Sequence, residues 1–150
     1  MSTLQVYKEE AHLMGNHFEL SVVSDNPEWA HDCIQAGINE IQRIEKKLTT
    51  FSSESETAKI NEMAGIRAVE VSLETIELIE RSIKISQITQ GAFDITYGSI
   101  DKKLWNFDEK MTALPDKETA KKMVRLINYR NIIIDKKEST VFLKEKGMRI

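Results

Sequence analysis

Cysteine, proline and glycine are scarce in this chain of 150 residues. The one cysteine, Cys33, excludes an intrachain disulfide and any cysteine-based zinc cluster. Two prolines and six glycines leave no room for a Pro- or Gly-rich linker, and no repeat or low-complexity tract is present. No apolar run approaches the roughly 18 residues that a membrane helix needs. Residues 1–10 hold no apolar signal core, so a chain that starts natively at Met1 is expected to stay in the cytoplasm. Basic residues do not outnumber acidic ones, 21 against 24, and the net charge of −3 gives no positive field for nucleic acid. His12, His17 and His31 have no ligand-spaced partners, which argues against metal roles for them.

What remains is ordinary for a globular domain: 41% hydrophobic and 30% charged residues. A single domain of this length buries roughly 68–70% of its unfolded surface. The pattern predicts a strand over 4–11, with Leu4, Val6 and Lys8 on one face, then a turn at Met14-Gly15-Asn16. His17 to Val22 alternates polar and apolar, so the two form a hairpin whose His17 face is solvated. Asn26-Pro27-Glu28 starts a helix of about twenty residues, with Ala30, Cys33, Ile34, Ile38, Ile41, Ile44 and Leu48 as its buried stripe.

The hydroxyl-rich stretch from Thr49 to Thr57 serves either as a connector or as a pocket lining with Phe51, and composition does not choose between them. Ser55 is placed to cap a short helix ending at Gly65, and 67–71 reads as a short strand. Ser72 caps a second long helix with Leu73, Ile76, Ile79, Ile83 and Ile88 inward. Asp116 starts a third, with Ala120, Met123, Val124 and Ile127 inward. A second hairpin spans 131–144, and a further strand is expected from Met148. Charged runs such as Glu45-Lys46-Lys47 read as solvated faces.

Between the second and third helices, residues 90–100 fit neither helix nor strand. Gly91 is placed as the left-handed residue after the helix. Phe93 and Tyr97 offer π-faces, Asp94 an acceptor, and Thr96 both donor and acceptor. That mixture on an irregular segment suits a ligand-facing loop; the competing reading makes Phe93 a core plug and Asp94 a turn cap.

Several segments then fall into one order: His12-Leu13-Met14-Gly15-Asn16, Leu48-Thr49-Thr50-Phe51, Ser55-Glu56 with Ile60-Asn61, Val69-Glu70-Val71-Ser72, Thr89-Gln90-Gly91-Ala92-Phe93-Asp94-Ile95-Thr96, and Leu104-Trp105. Together they resemble the N-terminal half of the FAD:protein FMN transferases, the ApbE-type flavin transferases. The resemblance implies a magnesium-dependent enzyme that cleaves FAD, releases AMP and moves FMN to a threonine or serine of an acceptor flavoprotein, such as a redox-pump subunit. It places Met14, Phe51, Ala92, Phe93 and Asp94 against FAD. Phe51 stands where many members have tyrosine, keeping a stacking face without the hydroxyl, and Asn16 stands where threonine is usual.

The family's metal-binding aspartate and threonine and its acid–base histidine lie downstream of the matching segments, so no catalytic or metal residue is expected within 1–150. Asp101 and Asp108 read as loop or helix-surface carboxylates and not as ligands of Mg2+. The resemblance also implies the periplasmic side of the bacterial inner membrane. The expected fold is α+β: a mainly antiparallel sheet against two long helices, the N-terminal portion of a domain that ends inside it and is inactive alone. A non-catalytic flavin- or nucleotide-binding module, or a protein-interaction module, is the alternative.

Overall fold

The computed structural model describes residues 3–100 and 116–150. Leu104, Trp105, Asp101 and Asp108 lie outside the described residues. The chain forms two compact units, Met1–Ser55 and Glu56–Ile150.

In the first unit β1 (Gln5–Leu13) pairs antiparallel with β2 (Asn16–Ser24), and α1 (Pro27–Leu48) follows. The helix begins where local chemistry says it should. Asn26 caps it by accepting from the Trp29 amide at 3.1 Å, with proline in the first turn. Its stripe, Ala30, Ile34 and Ile38, is buried, and Cys33 is half-buried on the same side. Ile34 and Ile38 pack with Leu13, Tyr7, Ala11, Phe18, Leu20 and Val22 of the hairpin.

That core decides which face of β1 is inward. Leu4 and Val6 are 68% and 60% exposed, whereas Tyr7, Ala11 and Leu13 point to the helix. Both faces of the strand carry apolar residues, and a period of two cannot rank them. On the outer face Lys8 pairs with Glu19 at 2.7 Å, and His17 is exposed there beside Glu10, as a solvated face requires.

The second unit contains α2 (Glu56–Glu62), β3 (Val69–Glu70), α3 (Leu73–Ile88), α4 (Lys117–Val124), β4 (Ile132–Asp135) and β5 (Thr140–Leu143). Its three strands run antiparallel in the order β3-β5-β4. The expected α+β class with antiparallel pairing and two long helices is thus what forms, with the strands divided between two sheets. Ile60, Ile76, Ile79, Val141, Leu143 and Met148 make the centre of the core here. Ser72 caps α3, and the Glu56 carboxylate accepts from the Ser72 amide at 3.2 Å, from the Ser72 hydroxyl at 2.9 Å and from the Thr75 hydroxyl. A carboxylate at that helix N-terminus also suits the dipole.

Asp116 caps α4 as expected, and hydrogen bonds from Thr119 hold its carboxyl below the ordinary value. Three other expectations change. Leu73 and Ile88 are 63% and 72% exposed, so only the middle of the α3 stripe is core. Val124 is 59% exposed instead of inward. Met148 to Ile150 forms no strand: Asn61 and Ser99 hold its backbone in place of a ladder, through Ile150 N–H to Asn61 at 2.8 Å and Arg149 N–H to Ser99 at 2.9 Å.

Candidate functional site

In the first unit, the hairpin tip and the end of α1 build a hollow of about 330 Å3, lined by Met14, Gly15, Glu45, Leu48, Thr49, Thr50 and Phe51. Met14 and Phe51, far apart in the chain, therefore meet at one site. The volume lies at the lower end for small-ligand pockets, enough for one ring system and too little for a dinucleotide.

Met14 and Gly15 are the two central residues of the hairpin turn, with φ of +53° and +72°. Positive φ at both is the mark of a type I′ turn, whose sense of twist matches the strands. Gly15 tolerates that conformation at no cost. Met14 does not, and a left-handed backbone costs a side-chain-bearing residue about 1–2 kcal/mol. The result is a thioether, 44% exposed, held at the tip of a rigid hairpin.

Phe51 is 92% exposed, so it contributes nothing to a core. Its amide donates to the Thr49 hydroxyl at 3.2 Å, the Glu54 amide donates to the Ser52 hydroxyl at 3.4 Å, and the Ser55 hydroxyl donates to the Thr49 carbonyl. The hydroxyl-rich stretch is thus both of the things its composition allowed. Its hydroxyls stitch the loop to itself, and the stitched loop supplies Thr49, Thr50 and Phe51 to the hollow.

In the second unit Ala92, Phe93 and Asp94 follow the end of α3. Gln90, not Gly91, is the left-handed residue just past the helix, at φ +54°; Gly91 follows at +87°. The Gly91 amide donates to the Ser86 carbonyl at 2.8 Å and the Gln90 amide to the Gln87 carbonyl at 3.2 Å, a Schellman motif displaced by one residue from the glycine. Gln90→Gly removes this strain and is expected to raise stability by up to about 1 kcal/mol. Thermal unfolding reads it, and a lower unfolding temperature would show that the Gln90 side chain matters more than its backbone.

Ala92 is exposed and Phe93 is 42% exposed, so Phe93 is not a core plug. Asp94 is a cap, as the competing reading held, and more than a cap. Oδ1 accepts from the Thr96 amide at 2.8 Å and the Thr96 hydroxyl at 2.6 Å, while Oδ2 accepts from the Tyr129 amide at 2.9 Å. The buried Thr96 hydroxyl in turn accepts from the Asn128 amide at 2.8 Å. The carboxylate therefore ties the Phe93 loop to the turn before β4. These bonds leave part of the acceptor capacity of Oδ2 open to a ligand donor.

Thr96, which the sequence offers as donor and acceptor, is fully buried at the centre of the Asp94 network. One contributor was not singled out in the sequence. Glu45 belongs to a charged run read as solvated, yet it lines the hollow. A second hollow, of about 330 Å3 on the outer side of the three-stranded sheet, is lined by Arg67, Ala68, Ile133, Asp135, Thr140 and Phe142 and contains no predicted site residue. Among the described residues no three His, Cys, Asp or Glu side chains converge as metal ligands.

The model of the ApbE family matches residues 14–150. The FAD:protein FMN transferase of Klebsiella pneumoniae (strain 342) is 30% identical over 150 residues, which are 100% of this chain and 46% of that protein. The crystal structure of the ApbE protein of Thermotoga maritima superimposes with a TM-score of 0.85 at 26% identity, over 97% of this chain and 47% of that one. The flavin transferase ApbE of Vibrio cholerae gives a TM-score of 0.83 at 17% identity, over 99% and 48%, and bears on the fold alone. The chain thus spans about half the length of the relatives it matches. With the family model matched over residues 14–150 and the fold shared over nearly its whole length, the chain belongs to the ApbE family.

Proposed function

We propose that this chain is the N-terminal, FAD-binding portion of a magnesium-dependent flavin transferase that moves FMN from FAD to a threonine or serine of an acceptor flavoprotein. In this reading Met14, Phe51, Ala92, Phe93 and Asp94 are the FAD-contacting residues. The observation that carries the reading is the meeting of the exposed Met14 and Phe51 side chains in one hollow. A flat heterocycle needs such a wall: an aromatic face, a polarizable thioether and a few fixed polar groups.

In this reading the phosphoryl-transfer groups and the magnesium ligands come from residues outside the chain, and 1–150 alone is inactive. The metal, when bound, neutralises charge developing on the phosphates. Positioning is the part these residues perform: the rigid turn aims Met14, the stitched loop presents Phe51, and the Asp94 network holds the loop carrying Ala92 and Phe93. The acceptor as a redox-pump subunit and the periplasmic side of the inner membrane belong to the same proposal. No helix among the described residues is long and apolar enough to cross a membrane.

The deciding experiment joins residues 1–150 to a C-terminal half of this family and incubates the product with FAD, Mg2+ and an acceptor protein. An acceptor heavier by one FMN is expected, and an unchanged mass from a folded product overturns the reading. Phe51→Ala is expected to weaken FAD binding about tenfold, from lost stacking and burial. Its stability should stay within about 0.5 kcal/mol of the parent, because the ring is solvated. Fluorescence titration and thermal unfolding of one preparation separate the two effects.

A further inference from the structure

Glu45 shares the hollow with Met14 and Phe51 and has no part in the reading above. It is half-buried, in the last turn of α1. At that end of a helix the unpaired carbonyls disfavour a negative side chain and favour cations, which Lys46 and Lys47 supply. The neighbour one turn back on the same face, Ile41, is uncharged. Among the described residues the Glu45 carboxylate has neither an ion pair nor a hydrogen-bond donor. Folding gains nothing from an acid at this position, and a local choice that opposes stability beside a hollow points to a ligand.

We propose that the Glu45 carboxylate is a specificity determinant of the hollow, accepting a hydrogen bond from a ring-edge N–H of the ligand's heterocycle. The proposal rests on the reading that one end of FAD enters the hollow. A carboxylate only accepts, so it selects an edge that presents a donor and repels one that presents a phosphate or carbonyl oxygen. Two parts of FAD offer a suitable donor, the imide of the isoalloxazine and the amine of the adenine. The shared chemistry is an N–H at the edge of a planar ring, and the Phe51 ring supplies the face against which such a plane stacks.

The test titrates the wild-type chain, Glu45→Ala, Glu45→Gln and Phe51→Ala with FAD, riboflavin and AMP, and measures thermal unfolding without ligand. Glu45→Ala is expected to lose on the order of tenfold in FAD affinity, as for a hydrogen bond to a charged acceptor. Its unfolding temperature should stay level or rise, since an opposed charge has gone. Glu45→Gln keeps a carbonyl acceptor and recovers part of the affinity.

A matching loss for riboflavin identifies the imide, and 3-methylriboflavin, which lacks that N–H, should then bind the wild type weakly. A matching loss for AMP identifies the amine. Undiminished FAD binding by Glu45→Ala beside weakened binding by Phe51→Ala overturns this inference and leaves the hollow as a flavin-transferase site. Unchanged binding by both variants, or no binding by the wild type, overturns the hollow reading as well. A fall in unfolding temperature together with affinity would make Glu45 a structural residue and overturn the inference.

Discussion

Asp94→Ala is expected to lower stability by about 3 kcal/mol and to abolish measurable FAD binding together with it. The substitution deletes the acceptors of the Thr96 amide, the Thr96 hydroxyl and the Tyr129 amide. Thr96 and Tyr129 are buried, so water does not readily replace the carboxylate. Hydrogen bonds to a charged group contribute about 1.5–3 kcal/mol each, and three that share one carboxylate do not add in full. For a chain of this length the unfolding temperature should fall by roughly 6–12 °C.

Asp94→Asn keeps one carbonyl acceptor and should recover about half of the loss. The two roles of Asp94 separate in this pair of variants. If Asn restores stability without restoring FAD affinity, the charge faces the ligand as well as the loop. If both return together, the carboxylate acts by holding the loop. An Asp94→Ala protein that unfolds within a degree of the parent would show that the network contributes little.

Gly65→Ala is the second large effect, at about 3 kcal/mol, and it tests the frame that carries the Asp94 loop. Gly65 follows α2 at φ +72°, and its amide donates to the Leu143 carbonyl at 2.8 Å. A β-carbon there would meet the Lys146 amide nitrogen at 2.5 Å and its α-carbon at 2.8 Å. Neither is the end of a flexible side chain, so the backbone of 144–147 would have to move. Left-handed strain adds about 1–2 kcal/mol and forced repacking about 1–3 kcal/mol.

Leu143 and Met148, both in the core, flank that segment, and their packing would loosen with it. Gly91→Ala is the control. It has a comparable φ of +87° but open space around the new carbon, so only the strain applies and the cost is about 1 kcal/mol. Equal unfolding temperatures for the two variants would show that the approach of Lys146 is not what demands glycine at 65.

Much of the fold could be read locally. Asn26 with Pro27, Ser72 and Asp116 each mark a helix start because a cap satisfies amides two or three residues away, a matter settled within one turn of chain. The two hairpins follow from alternation and from turn residues for the same reason. Faces were less legible. β1 carries apolar side chains on both sides, so the choice of Tyr7, Ala11 and Leu13 over Leu4 and Val6 came from α1. The ends of the α3 stripe, Leu73 and Ile88, likewise reach beyond the elements that bury its middle.

The candidate site divides along the same line. Sequence by itself determined the residue types and their order: the Met14-Gly15 turn, the hydroxyl-rich stretch before Phe51, and Ala92-Phe93-Asp94 after a helix end. These are local patterns, and local chemistry reads them. Only tertiary structure decided that Met14, Phe51 and Glu45 line one hollow and that Asp94 reaches across to the Tyr129 amide. The physical reason is reach: caps, turns and periods act within a few residues, whereas these meetings join positions brought together only when helices and hairpins pack.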